Sequence, residues 1–531
     1  MTKKINLIFL ATLLLYSLYC AMQLGPTWDS SFYYEVGKDR LDYLFSLGSN
    51  EVDKNIVARR FLTGTYSTIS AFFVQFFPRK YILESLYFIN LSFSILAIFG
   101  IYKITKELFN KKIGQITFLL CFFNPIFFGH MAMNSNDTIL AFSNIWFFYT
   151  VLKYFKNQEK INKKNKYVIL SGLSLGLGIG VRYSFIVTLI PIFLFLLLEI
   201  FYLKILVSKR FSKKIFFQDF IKVLIIAYFF MVLFWPHTHQ NIFILPFKIA
   251  LESLSFGFGV PLILFNGEIF QSHVLPKSYI LINLFYKMPE FVILSFILFI
   301  CFFFKIGPYF KKKIKGFYSK ILLIFIIILF PSFLFFASSY GIYDGIRLFL
   351  YIIPYICIIP AILIFFLLKM IKDNLYKFIF AFLILLQIFF LFNFFSLTPY
   401  HYVYLNIFAG KYSENSKKFE NDYWGVSTKQ LISYIKNHDE MFKNHKVKIA
   451  ICGLPKDVQN LYLKKIKNFK FEIVDKNESF DFIIMNNRVI WDEKNNTYNP
   501  KKAQTCFQKF SGEDLIEVQR RGLVISKITK I

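Results

Sequence analysis

Asp29, Asp137, Arg182 and Arg347 stand where an apolar chain has least reason to carry charge, beside the ends of long hydrophobic runs. Charge at membrane depth is costly, so it marks a site unless something else accounts for it. Asp29 lies in Gly25-Pro26-Thr27-Trp28-Asp29-Ser30-Ser31-Phe32-Tyr33-Tyr34-Glu35. Glu35 lies six residues on, which in a helix is roughly two-thirds of a turn around from Asp29, so the two carboxylates need not share a face. The plain alternative for Asp29 is a solvated loop acid beside a helix cap. Asp137 closes a second polar cluster, His130-Met131-Ala132-Met133-Asn134-Ser135-Asn136-Asp137. Its simplest structural role is an N-terminal helix cap. Arg182 follows the Gly-rich run 172–180, and Arg347 follows Tyr343 and Asp344. Two carboxylates and two guanidiniums on one membrane face suggest a site for an anionic lipid headgroup, because the planar fork of Arg donates in pairs to phosphate. Asp344 is the obvious ion-pair partner should Arg347 be structural instead. His237 and His239 form an H-x-H without further ligands at a diagnostic spacing, which favours an interfacial role.

The elements that carry these residues are membrane helices. Of 531 residues, 56% are hydrophobic and only 18% charged, and Phe alone occurs 72 times. Globular domains run near a quarter charged. The apolar residues cluster in runs approaching the roughly 20 residues needed to cross a hydrocarbon core, and such runs must be helical. Spans are expected near 5–24, 81–102, 114–129, 139–155, 167–181, 184–203, 221–235, 290–304, 321–338, 348–368 and 377–397. The first is read as a retained helix, being too long for a signal-peptide core and lacking a small-x-small cleavage site.

The net charge of +30 reads as membrane anchoring, with no nucleic-acid partner. Lys and Arg gather at 103–112, 153–166, 204–222, 305–320 and 369–377, while 130–138 has neither. This alternation is the positive-inside pattern and puts the N-terminus in the cytoplasm. Eleven crossings then leave the C-terminal segment outside, so the chain is expected in the inner (plasma) membrane with a periplasmic tail. The basic first outer loop, 25–80, is long enough to cross regardless of charge. Its stretch 61–77, apolar but rich in Thr and Ser, reads as a helix lying in or dipping into the interface.

The expected organisation is a membrane domain over 1–400 and a small soluble α/β domain over 411–531. Strands are expected at Val447–Cys452, Phe471–Val474, Phe482–Met485 and Leu523–Ile528, and helices at Ser427–Lys436 and Asp457–Lys467. Cys452 and Cys506 could pair on an oxidising side or remain two strand thiols. The chain has no P-loop, dinucleotide fingerprint or H-E-x-x-H, which argues against ATP-driven transport. Nor does it show the repeat symmetry or paired broken helices of many secondary transporters. A lipid flippase or a non-catalytic envelope assembly protein remains the alternative class.

Several segments together resemble the GT-C glycosyltransferases, of the kind related to protein O-mannosyltransferases and aminoarabinose transferases. They are Trp28-Asp29 through Lys38, Asn124-Pro125 through Thr138, and Gly341-Ile342-Tyr343-Asp344-Gly345-Ile346-Arg347. Pro399 through Asn406 and Asp422-Tyr423-Trp424-Gly425-Val426-Ser427 complete the set. The resemblance covers about residues 1–430. It implies a polytopic α-helical GT-C-like membrane fold, and sugar transfer from a polyprenyl-phosphate donor to a lipid, glycan or protein acceptor on the outer face. It implies Asp29 as general base, with Glu35 as the less favoured candidate, and Asp137 orienting the donor or a divalent metal. Arg182 and Arg347 would bind phosphate, with His130, Asn134 and Tyr343 beside them. No metal ligand set is assigned.

Overall fold

The computed structural model describes residues 3–50, 52, 57–255, 261–338, 340–437, 447–454, 463–464, 470–490 and 500–531. Helix covers every one of the expected apolar runs. The first half comprises α1 (Lys3–Gln23), α2 (Ser30–Phe45), α3 (Val57–Arg60), α4 (Thr65–Val74), α5 (Ile82–Leu108), α6 (Lys111–Phe122), α7 (Pro125–His130) and α8 (Asp137–Asn157). Then come α9 (Ile161–Ile179), α10 (Phe185–Thr188), α11 (Ile190–Leu198), α12 (Lys213–Leu233) and α13 (Leu245–Ser255). The second half adds α14 (Tyr279–Lys287), α15 (Glu290–Cys301), α16 (Phe303–Lys311) and α17 (Phe317–Ala337). It closes with α18 (Ile353–Ile356), α19 (Ile358–Lys369), α20 (Asn374–Ser396) and α21 (Thr428–Asn437).

Five helical stretches among the described residues are by themselves long and apolar enough to cross a bilayer: Arg79–Leu108, Lys213–Leu233, Phe317–Ala337, Arg347–Lys369 and Asn374–Ser396. The α14–α15 pair passes the same test together but bends by 112°. Leu7, Leu15, Phe333, Phe336, Phe378 and Phe392 stand exposed on helix surfaces. An apolar exterior of this kind requires lipid around it, and the chain is a multi-pass membrane protein.

Several expected continuous helices are broken. Asn124 and Pro125 divide the expected 114–129 helix into α6 and α7, since Pro cannot continue a helix but suits its first turn. Asn124 Oδ1 caps α7 by accepting from Phe127 N at 3.1 Å. The expected 348–368 helix begins as a 3₁₀ turn, Arg347–Ile352, before α18 and α19. In the first outer loop, α4 covers the centre of the stretch 61–77. Its ten residues rise about 15 Å, half of a roughly 30 Å hydrocarbon core, so it does not cross. Thr65, Tyr66, Ser67, Thr68 and Ser70 are buried on it. Gly172 and Gly176 bring α9 close to α12: a Cβ on Gly176 would lie 2.7 Å from Ala227 O. Small residues four apart permit such approach.

Beyond the helices lies a five-stranded mixed sheet of order β4-β3-β5-β9-β8, formed by β3 (Val447–Cys452), β4 (Phe471–Ile473), β5 (Phe482–Asn486), β8 (Glu513–Arg520) and β9 (Leu523–Lys530). Strands β4, β3 and β5 run parallel, and β9 pairs antiparallel with β5 and β8. All four expected strands are present, whereas β8 was not expected. The expected helix 457–467 falls almost wholly outside the described residues. Cys452 and Cys506 form a disulfide, which by loop entropy stabilises the folded domain by about 4 kcal/mol. An unexpected hairpin, β1 (Leu262–Phe265) and β2 (Glu268–Gln271), turns at Asn266-Gly267 with positive φ at both residues. Leu262 and Leu264 pack on Val489 of β6 (Val489–Ile490), which pairs with β7 (Gln504–Thr505).

Candidate active site

Asp29 is the N-cap residue of α2 and makes no capping hydrogen bond with its side chain. The neighbouring Ser30 hydroxyl serves the turn instead, accepting from Thr27 N at 3.0 Å. The carboxylate is thus left for other work. Burial raises its pKa above the usual range; Arg347, Arg182 and Arg488 act against that rise and Asp344 adds to it.

Asp137 opens α8 without capping it. The N-cap residue is Asn136, whose side chain makes no capping bond. Asn134 Oδ1 accepts from Asp137 N at 2.9 Å and from Asn136 N at 3.2 Å, which ties down the turn leading into the helix. The cap expected of Asp137 is therefore absent, Asp137 being the first residue of the helix proper. The Asp137 carboxylate, 1% exposed, accepts from Asn134 Nδ2 at 3.0 Å and from Arg182 Nη1 at 2.9 Å. Arg182 sits just past α9 and keeps 28% exposure.

Arg347 begins the 3₁₀ turn with a side chain only 7% exposed. Its guanidinium lies 4.6 Å from the ring centroids of both Tyr343 and Trp424, and Nη2 is 3.1 Å from Asp344 Oδ2. Its buried Nε has no hydrogen-bond partner among the described residues. An orphaned donor of this type is expensive without a ligand. Asp344 and Gly345 both have positive φ, 56° and 68°, and so reverse the chain to set Asp344 between Arg347 and Arg488. Gly345 suits its positive φ, and it lies against the Lys287 ammonium, which a Cβ there would meet at 2.6 Å. Tyr279, Asn283, Lys287, Asp344, Glu420 and Tyr423 line a small polar cavity beside it.

The segment 400–427 fastens this arrangement. Tyr404 OH donates to Glu290 Oε2 at 3.0 Å, and Asn406 Nδ2 donates to Met288 O at 3.0 Å, both at the α14–α15 bend. Asp422 is fully buried and accepts from Val426 N at 3.0 Å and Ser427 N at 3.1 Å. Hydroxyls of Tyr402 and Ser427 also donate to it. That clamp presents Tyr423 and Trp424 to the charged cluster.

The other sequence candidates separate. His130 is buried, with Nδ1 2.8 Å from Ile126 O and Nε2 3.0 Å from Tyr423 OH, so both ring nitrogens are engaged and it braces Tyr423. Glu35 points elsewhere: its carboxylate, 60% exposed, is 3.2 Å from Arg59, which also binds Asp39. Among the described residues no group of three or more His, Cys, Asp or Glu could hold a metal ion. Asp137 and Asp344 are already engaged by arginines, so no chemical step is derived through a metal. Sequence reasoning did not find Arg488, Glu420 or Lys287; none sits in a motif. Trp424 lies within the Asp422–Ser427 motif, which does not by itself mark it as a partner of Arg347.

Residues 65–237 match the family model of the dolichyl-phosphate-mannose-protein mannosyltransferases. The structure of ArnT from Cupriavidus metallidurans in the apo state aligns over 99% of this chain and 97% of its own, at 9% identity and a TM-score of 0.50. The same protein bound to undecaprenyl phosphate aligns over 100% and 98%, at 10% identity and a TM-score of 0.51. No curated protein matches in sequence. The chain shares the fold of ArnT, a likeness to the GT-C class. Within that class it resembles the mannosyltransferases and aminoarabinose transferases.

Proposed function

We propose that the protein is an integral membrane glycosyltransferase that moves a sugar from a polyprenyl-phosphate donor to an acceptor on the periplasmic face of the inner membrane. One observation carries the reading: Arg182 and Arg347 converge with Asp29 and Asp137 at the end of the bundle opposite the basic loops. A structure of ArnT, which shares the fold, holds undecaprenyl phosphate, and this supports a lipid-linked phosphate here. The eleven crossings and cytoplasmic N-terminus expected from the sequence would put the site and the tail outside, and a disulfide suits that compartment.

In the reaction the Asp29 carboxylate takes the proton of the acceptor nucleophile. The nucleophile bonds to the anomeric carbon as the bond from that carbon to the phosphate oxygen breaks. The electron pair leaves on the phosphate, where Arg347 and Arg182 stabilise the growing charge. Asp137 holds Arg182 in position. Tyr343 and Trp424 stack on Arg347, and Asn134 orients Asp137.

Release of free polyprenyl phosphate from a panel of polyprenyl-phosphate sugars, measured in proteoliposomes, tests the proposal. Turnover that requires Asp29 is the expected result. Retention of donor with no turnover for any sugar or acceptor extract would favour a flippase or an assembly protein and overturn the reading.

A further inference from the structure

The C-terminal sheet reaches into the site. Strand β5 ends at Asn486, whose Nδ2 donates to Asp422 O at 2.8 Å. Asn487 Nδ2 donates to Phe419 O at 2.7 Å, and Asn487 Oδ1 accepts from Asn421 N at 2.9 Å. These buried amides hold the turn that follows β5 against the segment 400–427. The next residue is Arg488. Its Nη1 donates to Tyr423 O, its Nη2 is 3.7 Å from Asp344 Oδ1, and its guanidinium is 5.5 Å from the Trp28 ring, next to Asp29. Asp344 therefore stands between Arg347, from the membrane helices, and Arg488, from the soluble sheet.

We propose that Arg488 is a further substrate-binding residue, a guanidinium that the C-terminal domain supplies for the phosphate of the lipid-linked donor. This rests on the glycosyltransferase reading above. Arg347 is fixed by its stack and its close ion pair. Arg488 keeps a 25% exposed side chain and a long, weak contact with Asp344. Among the described residues its guanidinium has one hydrogen-bond partner, Tyr423 O, so donors remain for a ligand. Sugar transfer also turns a phosphodiester into a phosphomonoester, which gains negative charge. A cation added at that point acts more strongly in the transition state than in the ground state. The tail is thereby part of the site, and the site is complete only with the sheet docked.

Trp28 and Trp424 flank the two arginines and offer a readout in the full-length protein. Intrinsic fluorescence is titrated with undecaprenyl phosphate and with undecaprenol for wild type, Arg488→Lys, Arg488→Met and Arg347→Met. Thermal unfolding of each variant is followed in parallel. Arg488→Met is expected to weaken phosphate binding by about tenfold or more, the size of one lost charge-assisted hydrogen bond. Arg488→Lys should lose less, and undecaprenol binding should not change. Equal loss in Lys and Met variants with lowered melting would make Arg488 a packing residue and overturn the proposal. So would wild-type affinity in Arg488→Met while Arg347→Met loses binding, which leaves the phosphate site standing. Wild-type protein that binds the phosphate no better than the alcohol, with Arg347→Met unchanged, would remove the underlying reading as well.

Discussion

Replacing Asp29 with Asn separates its charge from every other property of the residue. The two side chains match in size, and either caps a helix, while Asp29 makes no capping bond to lose. Its carboxyl is raised above the ordinary value, chiefly by burial, despite Arg347, Arg182 and Arg488. The sign for stability follows. A raised carboxyl contributes stability that is fully present below the unfolded value near 3.9 and is lost as pH rises through the folded value. Asparagine carries no such loss, so at pH 7 to 8 the variant should melt at or above wild type. Turnover should move the other way. Loss of a general base costs about 10²–10⁴-fold, or roughly 2.7–5.4 kcal/mol of transition-state stabilisation. Wild-type rate should also fall on acidification as Asp29 protonates, and the variant's residual rate should lack that limb. Donor turnover in proteoliposomes and thermal unfolding in detergent, each at pH 5 and 8, provide the comparison. Full activity in Asp29→Asn would refute the assignment and pass the role to Glu35, despite its exposure and its bond to Arg59. Activity and melting temperature falling together would show that Asp29 is structural.

Arg347→Lys keeps the charge but loses both the fork and the stack between Tyr343 and Trp424, so donor affinity should drop about tenfold. Arg347→Glu should abolish binding in the same titration. Glu420 is pushed up to about 7, mainly by burial, with Arg488 opposing and Asp344 assisting. Its stabilising contribution is therefore lost as pH rises through about 7, and Glu420→Gln should flatten the fall in melting temperature between pH 6 and 8. Cysteines placed at Ser49 and Asn477 should label from outside intact cells while one at Asn162 should not. All three positions are exposed in the structure, so accessibility will report sidedness, and the opposite pattern would invert the topology.

The helices were legible because lipid leaves the backbone no alternative and the lysine-rich loops punctuate the runs. Their interruptions were less so. A hydropathy window averages across Asn124-Pro125 and across the 3₁₀ turn at Arg347, although both breaks set the height at which site residues emerge. The hairpin β1–β2 carries a strong local signal in Asn266-Gly267, but its strands are four residues each and sit between two apolar stretches that dominate any longer window. Strand β8 reads Glu-Asp-Leu-Ile-Glu-Val-Gln-Arg. It is an edge strand of the sheet, and the charges that protect an edge also dilute the pattern by which a strand is recognised.

The site shows the same division in a sharper form. Membrane topology sorts residues by depth, and depth alone brought Asp29, Asp137, Arg182 and Arg347 onto one list. It says nothing about which of them are lateral neighbours. The pairing of Asp137 with Arg182, and not with its own helix terminus, goes with Asn134, three residues earlier, binding both the amide and the carboxylate of Asp137, a local arrangement that no charge count reveals. Glu35 passed the depth criterion but lies along α2 toward Arg59, because the roughly two-thirds turn from Asp29 carries it to another face. Arg488 failed the criterion altogether, being far along the chain beyond the apolar runs. It arrives through Asn486 and Asn487, whose amides bind backbone carbonyls of the 416–422 stretch, while that stretch leads into the Asp422 clamp. The position of Arg488 thus depends on a polar relay between the sheet and the membrane helices. An uncharged substitution at Asn487 should accordingly lower donor affinity through Arg488 while leaving the Asp137–Arg182 pair intact. If Asn487→Ala binds undecaprenyl phosphate as wild type does, the relay does not position the arginine.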